Sequence, residues 1–306
     1  MSANGKTRAG PAANEDDLPH KPNGRPDWRE SYYFNFVDIE AGVSGFSTIG
    51  IVPNLRKREF VFVLFHDGKR TAYFMENEGE LSGDLCQLLS DGKLSYEMVE
   101  PLWEWRMTFA GDDLKADIRW RGRFPVYCFG GCSKTSWSDH FEQSGTVTGT
   151  VNLPGGRRVS LNGLGQRDKS WGPRDWHIES WYALHAQFDD LSIGLRRDVI
   201  KGTAITSGVI ATQRGHVPIA RVDLETGFMD GTNVPCSATT KVHGEDGSVY
   251  TIRSRLITPT SYIRFARSFP SGTTELYEEM AVHECDELGK GATGLIEWLY
   301  TRPKCV

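Results

Sequence analysis

Apolar and polar residues alternate along most of this chain with a period of two. Trp103, Trp105, Met107 and Phe109 are separated by Glu104, Arg106 and Thr108, and a Gly111-Asp112-Asp113 turn follows. Ala116, Ile118, Trp120, Gly122 and Phe124 then alternate with Lys115, Asp117, Arg119, Arg121 and Arg123. Successive strand residues point to opposite faces, so the pattern predicts a hairpin with one aromatic face and one charged, solvated face. The run Phe60 to Phe65 is continuously apolar and closes on Asp67-Gly68, a hairpin signal. Further strand-like runs lie between turn signals at Asp91-Gly92, Pro154-Gly155-Gly156, Asp189-Asp190 and Glu245-Asp246-Gly247. A helical period persists nowhere for more than about two turns, the nearest case being a short helix within 81–89.

The prediction is an all-β chain of antiparallel strands. So many strands would leave long exposed edges in open sheets, and closure into barrels removes them. Two barrels fit 306 residues better than one, a first over 28–145 and a second over 146–306. Residues 1–27 are rich in Gly, Pro, Asn and charge, with almost nothing large and apolar before Trp28, and they predict a disordered leader.

Charge and composition narrow the partners. A net charge of −5 with Lys and Arg spread along the chain gives no footprint for nucleic acid or an anionic membrane. No apolar run approaches the ~18 residues of a transmembrane segment, and no signal-peptide core follows Met1, so a cytoplasmic protein is expected. Six scattered cysteines match no zinc pattern; Cys128 and Cys132 flank Gly130-Gly131 as bystanders. Nine tryptophans suit a fold that lines a cavity with rings, though large β cores use them too.

The densest chemistry lies between Gly163 and Trp176, where the doublets Arg167-Asp168 and Arg174-Asp175 accompany Trp171 and Trp176. Gly172-Pro173 predicts an ordered corner between two strands. Arg-carboxylate forks and indole plugs would make this a structural corner. A carboxylic acid desolvated against indoles would instead stay protonated near neutral pH and serve as a proton donor, while an adjacent Arg acts in the opposite sense. Either Asp168 or Asp175 could be that acid.

Downstream, Ser180 to Phe188 alternates Tyr182, Leu184, Ala186 and Phe188 with Trp181, Ala183, His185 and Gln187. One face packs a core; the other suits a ligand cavity or a sheet covered by a neighbouring domain. His177 and His185 are eight apart and His140 is distant, and no His-x-His or Glu-x-x-His spacing has a companion ligand, so no metal is expected. His177 reads as a hydrogen-bonded structural residue or as a base that takes back a proton. Gly163-x-Gly165 lacks the third glycine and following helix of a dinucleotide site, and Ser170 stands in no nucleophile elbow.

The string Gly163-x-Gly165-x-Arg167-Asp168-x-Ser170-Trp171-Gly172-x-Arg174-x-Trp176 resembles the carotenoid 1,2-hydratase (hydroxyneurosporene synthase) and AttH-like superfamily. His140-Phe-Glu142-Gln143 with the strand after it and the Trp28 to Phe36 region fit the same pattern, and Lys169 stands where His is expected. The resemblance implies two lipocalin-like barrels in tandem and an enzyme without a cofactor acting on a hydrophobic alkene such as an isoprenoid, terpenoid or steroid. The residue chemistry suits hydration or dehydration, cyclisation or isomerisation. Asp168 would be the general acid, Arg167 would orient it or hold its charge, and Trp171 and Trp176 would face the cation. Tyr182 and His185 would be polar groups of the pocket, with Trp181, His177 and Arg174 beside the substrate. A non-catalytic carrier of a hydrophobic ligand and a pericyclic, Diels-Alderase-like cyclase are the alternatives.

Overall fold

The computed structural model describes residues 9–10, 12–129 and 137–304. Gly130, Gly131 and Cys132, singled out above, lie outside the described residues. The chain is all-β and divides into two compact units, Met1–Cys128 with Trp137–Arg174, and the part that follows from Asp175. Among the described residues no helix is long and apolar enough to cross a membrane.

The first unit holds β1 (Ala9–Gly10), β2 (Trp28–Asp38), β3 (Val43–Val52), β4 (Lys57–His66), β5 (Lys69–Glu78), β6 (Leu94–Glu100), β7 (Glu104–Ala110), β8 (Lys115–Gly122), β9 (Tyr127–Phe129), β10 (Asp139–Asn152) and β11 (Arg158–Pro173). They form one curled sheet in the order β5-β4-β3-β2-β11-β10-β8-β7-β6, with β9 beside β10 and β1 beside β9. The hairpin predicted from alternation is β7–β8, with Trp105 opposite Trp120 and Met107 opposite Ile118 on the core face. On its other face Arg106 forks onto Asp117 at 2.9 and 2.8 Å, so the charged row is paired within itself. Asp67-Gly68 closes β4–β5 with both residues at positive φ. The helix expected within 81–89 is α1 (Leu85–Leu88), capped by Asp84, whose carboxylate accepts from Gln87 N at 2.9 Å.

The second unit holds β12 (Ser180–Gln187), β13 (Leu191–Ile200), β14 (Thr203–Thr212), β15 (Gly215–Phe228), β16 (Pro235–Gly244), β17 (Val249–Leu256), β18 (Tyr262–Phe269), β19 (Gly272–Cys285) and β20 (Lys290–Pro303). Its order is β17-β16-β15-β14-β13-β12-β20-β19, and β17 pairs back onto β19 to close an eight-stranded barrel, with β18 attached to β19. Tyr182, Leu184 and Ala186 of β12 point into it with Ile252, Tyr277 and Trp298.

The all-β, two-barrel expectation stands, with the second sheet closed and the first a curled half-barrel whose end strands β5 and β6 do not pair with one another. Two other expectations change. The units divide at Arg174, not at residue 145, because β10 and β11 are the strands that join β2 to β8. Residues 12–27 are docked rather than disordered: a 3-10 turn at Asn14–Asp17 delivers Asp17 into the interior, where it is fully buried.

Candidate functional site

The Gly163 to Trp176 stretch is mostly strand. β11 runs to Pro173, pairing with β10 on one side and β2 on the other, so the expected corner lies beyond Pro173. Gly172 stays inside the strand at φ 125°, and a Cβ there would come within 2.2 Å of the Ser138 backbone nitrogen, which explains why the position is glycine. Because strand residues alternate, Arg167, Lys169 and Trp171 share one face and Gln166, Asp168 and Ser170 share the other.

The first of these faces is an interior of paired charges. The Arg167 guanidinium sits over the rings of Phe141, Trp105 and Trp120 at 4.8, 5.6 and 5.7 Å and forks onto Asp17, with Nη1 3.1 Å from Oδ2. The same Asp17 oxygen accepts from Leu102 N at 2.6 Å. Two steps along, the Lys169 ammonium pairs with Glu30 and lies 4.4 Å from the Tyr32 ring. His20 donates its backbone N–H to Glu30 at 2.7 Å and stacks on Trp171 at 3.8 Å. Burial pushes the Glu30 carboxyl up, but the Lys169 charge and the His20 hydrogen bond outweigh it and hold the group below its usual range. Burial lowers the Lys169 pKa, which Glu30 opposes. Arg167 therefore serves Asp17; it does not orient Asp168, which projects from the opposite face. Trp171 likewise packs with His20 and Phe141 on the charged-interior side.

The other face gathers the chemistry that adjacency in sequence concealed. His140 and Glu142 of β10 stand opposite Ser170 and Asp168 of β11. His140 Nε2 lies 2.6 Å from Asp168 Oδ2 and 3.5 Å from Glu142 Oε1. Side-chain exposure is 2% for His140, 9% for Glu142 and 27% for Asp168, so Asp168 is the member an incoming molecule meets. The pairing of β2, β11, β10 and β9 lines up Tyr33, Asp168, Glu142 and Tyr127 in one row, a carboxylate pair flanked by two half-buried phenols. Trp137 lies against the imidazole at 4.6 Å between ring centroids; the Arg174 guanidinium stacks on Trp137 at 5.7 Å and donates to Ser170 Oγ at 2.9 Å. Ligand atoms of His140, Glu142 and Asp168 all fall within 4.8 Å of one another, so these three are also the set that could hold a metal ion.

The remaining predicted residues sit in the second unit or at its start. Asp175 is exposed and accepts from His177 N at 2.8 Å. His177 is exposed too, with Nε2 3.1 Å from Ser271 Oγ. Trp176 packs edge-on to Trp181 at 6.2 Å in a cluster with Ile178, Leu276 and Leu299, whereas Trp171 belongs to a cluster with Trp28, Leu102 and Phe141. The Trp181 indole N–H donates to Glu297. Tyr182 points into the barrel and donates to or accepts from Thr240 Oγ1 at 2.8 Å, whereas buried His185, three residues on, projects outward. The same strand thus separates two groups expected in one pocket. His140, Glu142, Tyr33, Tyr127 and Trp137 were missed as site residues. The signals for the first two were the fit of His140-Phe-Glu142-Gln143 to the superfamily pattern and the His140-x-Glu142 spacing on a strand, and their partner Asp168 becomes visible only once β10 and β11 are paired in register.

Comparison with solved structures shows a shared fold at low identity. A candidate AttH (NE1406) of Nitrosomonas europaea aligns over 93% of this chain and 99% of its own at 14% identity and TM-score 0.68. Kievitone hydratase of Nectria haematococca aligns over 96% and 94% at 10% identity and TM-score 0.65. CghA, solved with Sch210972, aligns over 91% and 89% at 10% identity and TM-score 0.62. These likenesses show that the chain shares its fold with these proteins. No curated protein matches the sequence. A family model covers residues 13–302, and the chain belongs to that family, DUF7064, described as a domain of unknown function.

Proposed function

We propose that this chain is an acid-base enzyme that moves a proton onto or off an apolar, unsaturated small molecule, with Asp168 as the transferring group and His140 as its proton partner. The observation that carries the reading is the 2.6 Å contact between His140 Nε2 and Asp168 Oδ2, with Asp168 the exposed member of the pair. An imidazole nitrogen and a carboxylate oxygen at that distance are hydrogen-bonded, the contact a proton relay needs, and Glu142 lies beside them. The fold is one that a hydratase and CghA also have.

In the forward step the proton held by the dyad passes from Asp168 to an alkene carbon; the π electrons form the new C–H bond and leave a carbocation. Water attacking that cation and returning a proton to Asp168 or His140 completes a hydration. Loss of a neighbouring C–H proton to the same carboxylate completes an isomerisation, and attack by a second double bond followed by proton loss completes a cyclisation. Each course restores the dyad and consumes no cofactor. Tyr33, Tyr127 and Trp137 supply π-rich surfaces near the developing cation.

Incubation of the full chain with a panel of prenyl, terpenoid and steroid alkenes, read by mass spectrometry, tests the assignment. Wild type should form product, while Asp168→Asn and His140→Gln should bind the same compound and lose turnover by about 100-fold or more. Equal turnover by all three would favour a pericyclic cyclase, and binding without product a carrier. Turnover that vanishes on chelation and returns with a divalent ion would move His140, Glu142 and Asp168 to the role of metal ligands.

A further inference from the structure

The second barrel carries an acid that the proposed chemistry does not use. Along β19, Tyr277, Ala281 and Cys285 face the apolar lumen, and Glu279 lies in the same row. Its side chain is fully enclosed, with the Trp298 indole N–H as a donor to its carboxyl. Burial pushes this carboxyl well above the usual carboxylate range while a hydrogen bond from the Trp298 indole pulls the other way, so the enclosure favours the uncharged acid, whose O–H remains a donor to offer.

Its surroundings are polar but uncharged. Tyr182 Oη pairs with Thr240 Oγ1 at 2.8 Å, and His283 Nδ1 with Ser254 Oγ at 2.8 Å. Burial pushes His283 down to about 3, which keeps the imidazole neutral, and pushes the Tyr182 phenol up. Ala186, Ala238 and Ala281, from three different strands, present small side chains to the same lumen. An eight-stranded barrel either fills itself with side chains or holds one small ligand. In a filled barrel an apolar residue in place of Glu279 would be more stable than an acid whose O–H the Trp298 indole, a donor only, cannot satisfy.

We propose that the lumen of the second barrel binds an uncharged, mainly apolar small molecule bearing a ketone or hydroxyl oxygen, and that the Glu279 carboxyl group is the hydrogen-bond partner of that oxygen. The neutral lining selects against carboxylate or ammonium ligands, which would be desolvated without a counter-charge. The site lies within the second unit and stands or falls independently of His140 and Asp168.

Titration of the full chain with prodan, a neutral naphthyl ketone whose emission responds to its surroundings, tests the assignment. Wild type should bind it saturably, a long-chain alcohol should compete, and the corresponding fatty carboxylate should not. Glu279→Gln keeps a donor and an acceptor and should bind within about threefold of wild type, whereas Glu279→Leu should bind about tenfold more weakly. Infrared difference spectra of wild type with and without prodan need no variant and should show a carboxylic-acid C=O band moving to lower frequency. Absence of saturable binding would mean that water alone occupies the lumen and would overturn the proposal. So would equal binding by Glu279→Leu, or an unmoved band.

Discussion

Inside the first unit Arg167 pairs with Asp17 and Lys169 with Glu30; inside the barrel of the second, burial favours the uncharged forms of Glu279, His283 and Tyr182, while the buried pair of Arg196 with Asp198 stands on the other face of β13. The difference follows from closure. A curled sheet with free edges can admit a chain segment, and residues 12–27 bring in Asp17 and His20 as counter-groups. A ring of hydrogen-bonded strands admits no such segment to its lumen, so an acid buried there is pushed towards its uncharged form.

The largest effect expected from this contrast is at Arg167. Truncating either partner leaves a lone charge inside aromatic walls, so Arg167→Met or Asp17→Ala should cost about 3–5 kcal/mol in urea unfolding, and the double change Asp17→Leu with Arg167→Met should recover most of the loss. Equal losses in single and double variants would break the pairing argument.

Glu30 should show a smaller, pH-dependent effect. Its carboxyl is held below the ordinary value near 4.5, so the unfolded chain takes up the proton first as the pH falls. The stability it contributes is present above about pH 4.5 and lost below it. Glu30→Gln should therefore cost about 3 kcal/mol at neutral pH, the gap to wild type shrinking as the pH falls through that range. A gap independent of pH would show that Glu30 acts by packing alone.

Glu279 should show the opposite sign and the smallest magnitude. Its carboxyl is raised, so above about pH 4.5 the unfolded chain releases a proton that the folded barrel keeps, and wild-type stability falls as the pH rises. Glu279→Leu should stabilise the protein by about 1–3 kcal/mol at neutral pH and by less at pH values near 4.5, read as a shift in thermal midpoint. A destabilised variant at neutral pH would contradict a buried acid whose O–H lacks an acceptor.

How far the sequence could be read depended on distance along the chain. The β7–β8 hairpin was legible because its strands are neighbours and their faces differ in chemistry, Trp105 and Trp120 inside and Arg106 and Asp117 outside. The all-β class was legible for the same reason. The dyad of His140 and Asp168 was not, since it depends on a register between strands that period two alone leaves undetermined. Reading Arg167 and Asp168 as partners failed on the same periodicity: neighbours on a strand face apart. Composition also misjudged residues 12–27, where the docking is supplied by Asp17 and His20 rather than by apolar side chains.

The claim on which the functional account rests is that Asp168 passes a proton to carbon, and the most direct measurement is deuterium at carbon in product formed in D2O by wild type and by Asp168→Asn. The account predicts one deuterium per turnover at the protonated carbon with wild type, and loss of that labelled product by about 100-fold or more with the variant. Product from wild type without carbon-bound deuterium, or equal labelling by Asp168→Asn, would contradict it.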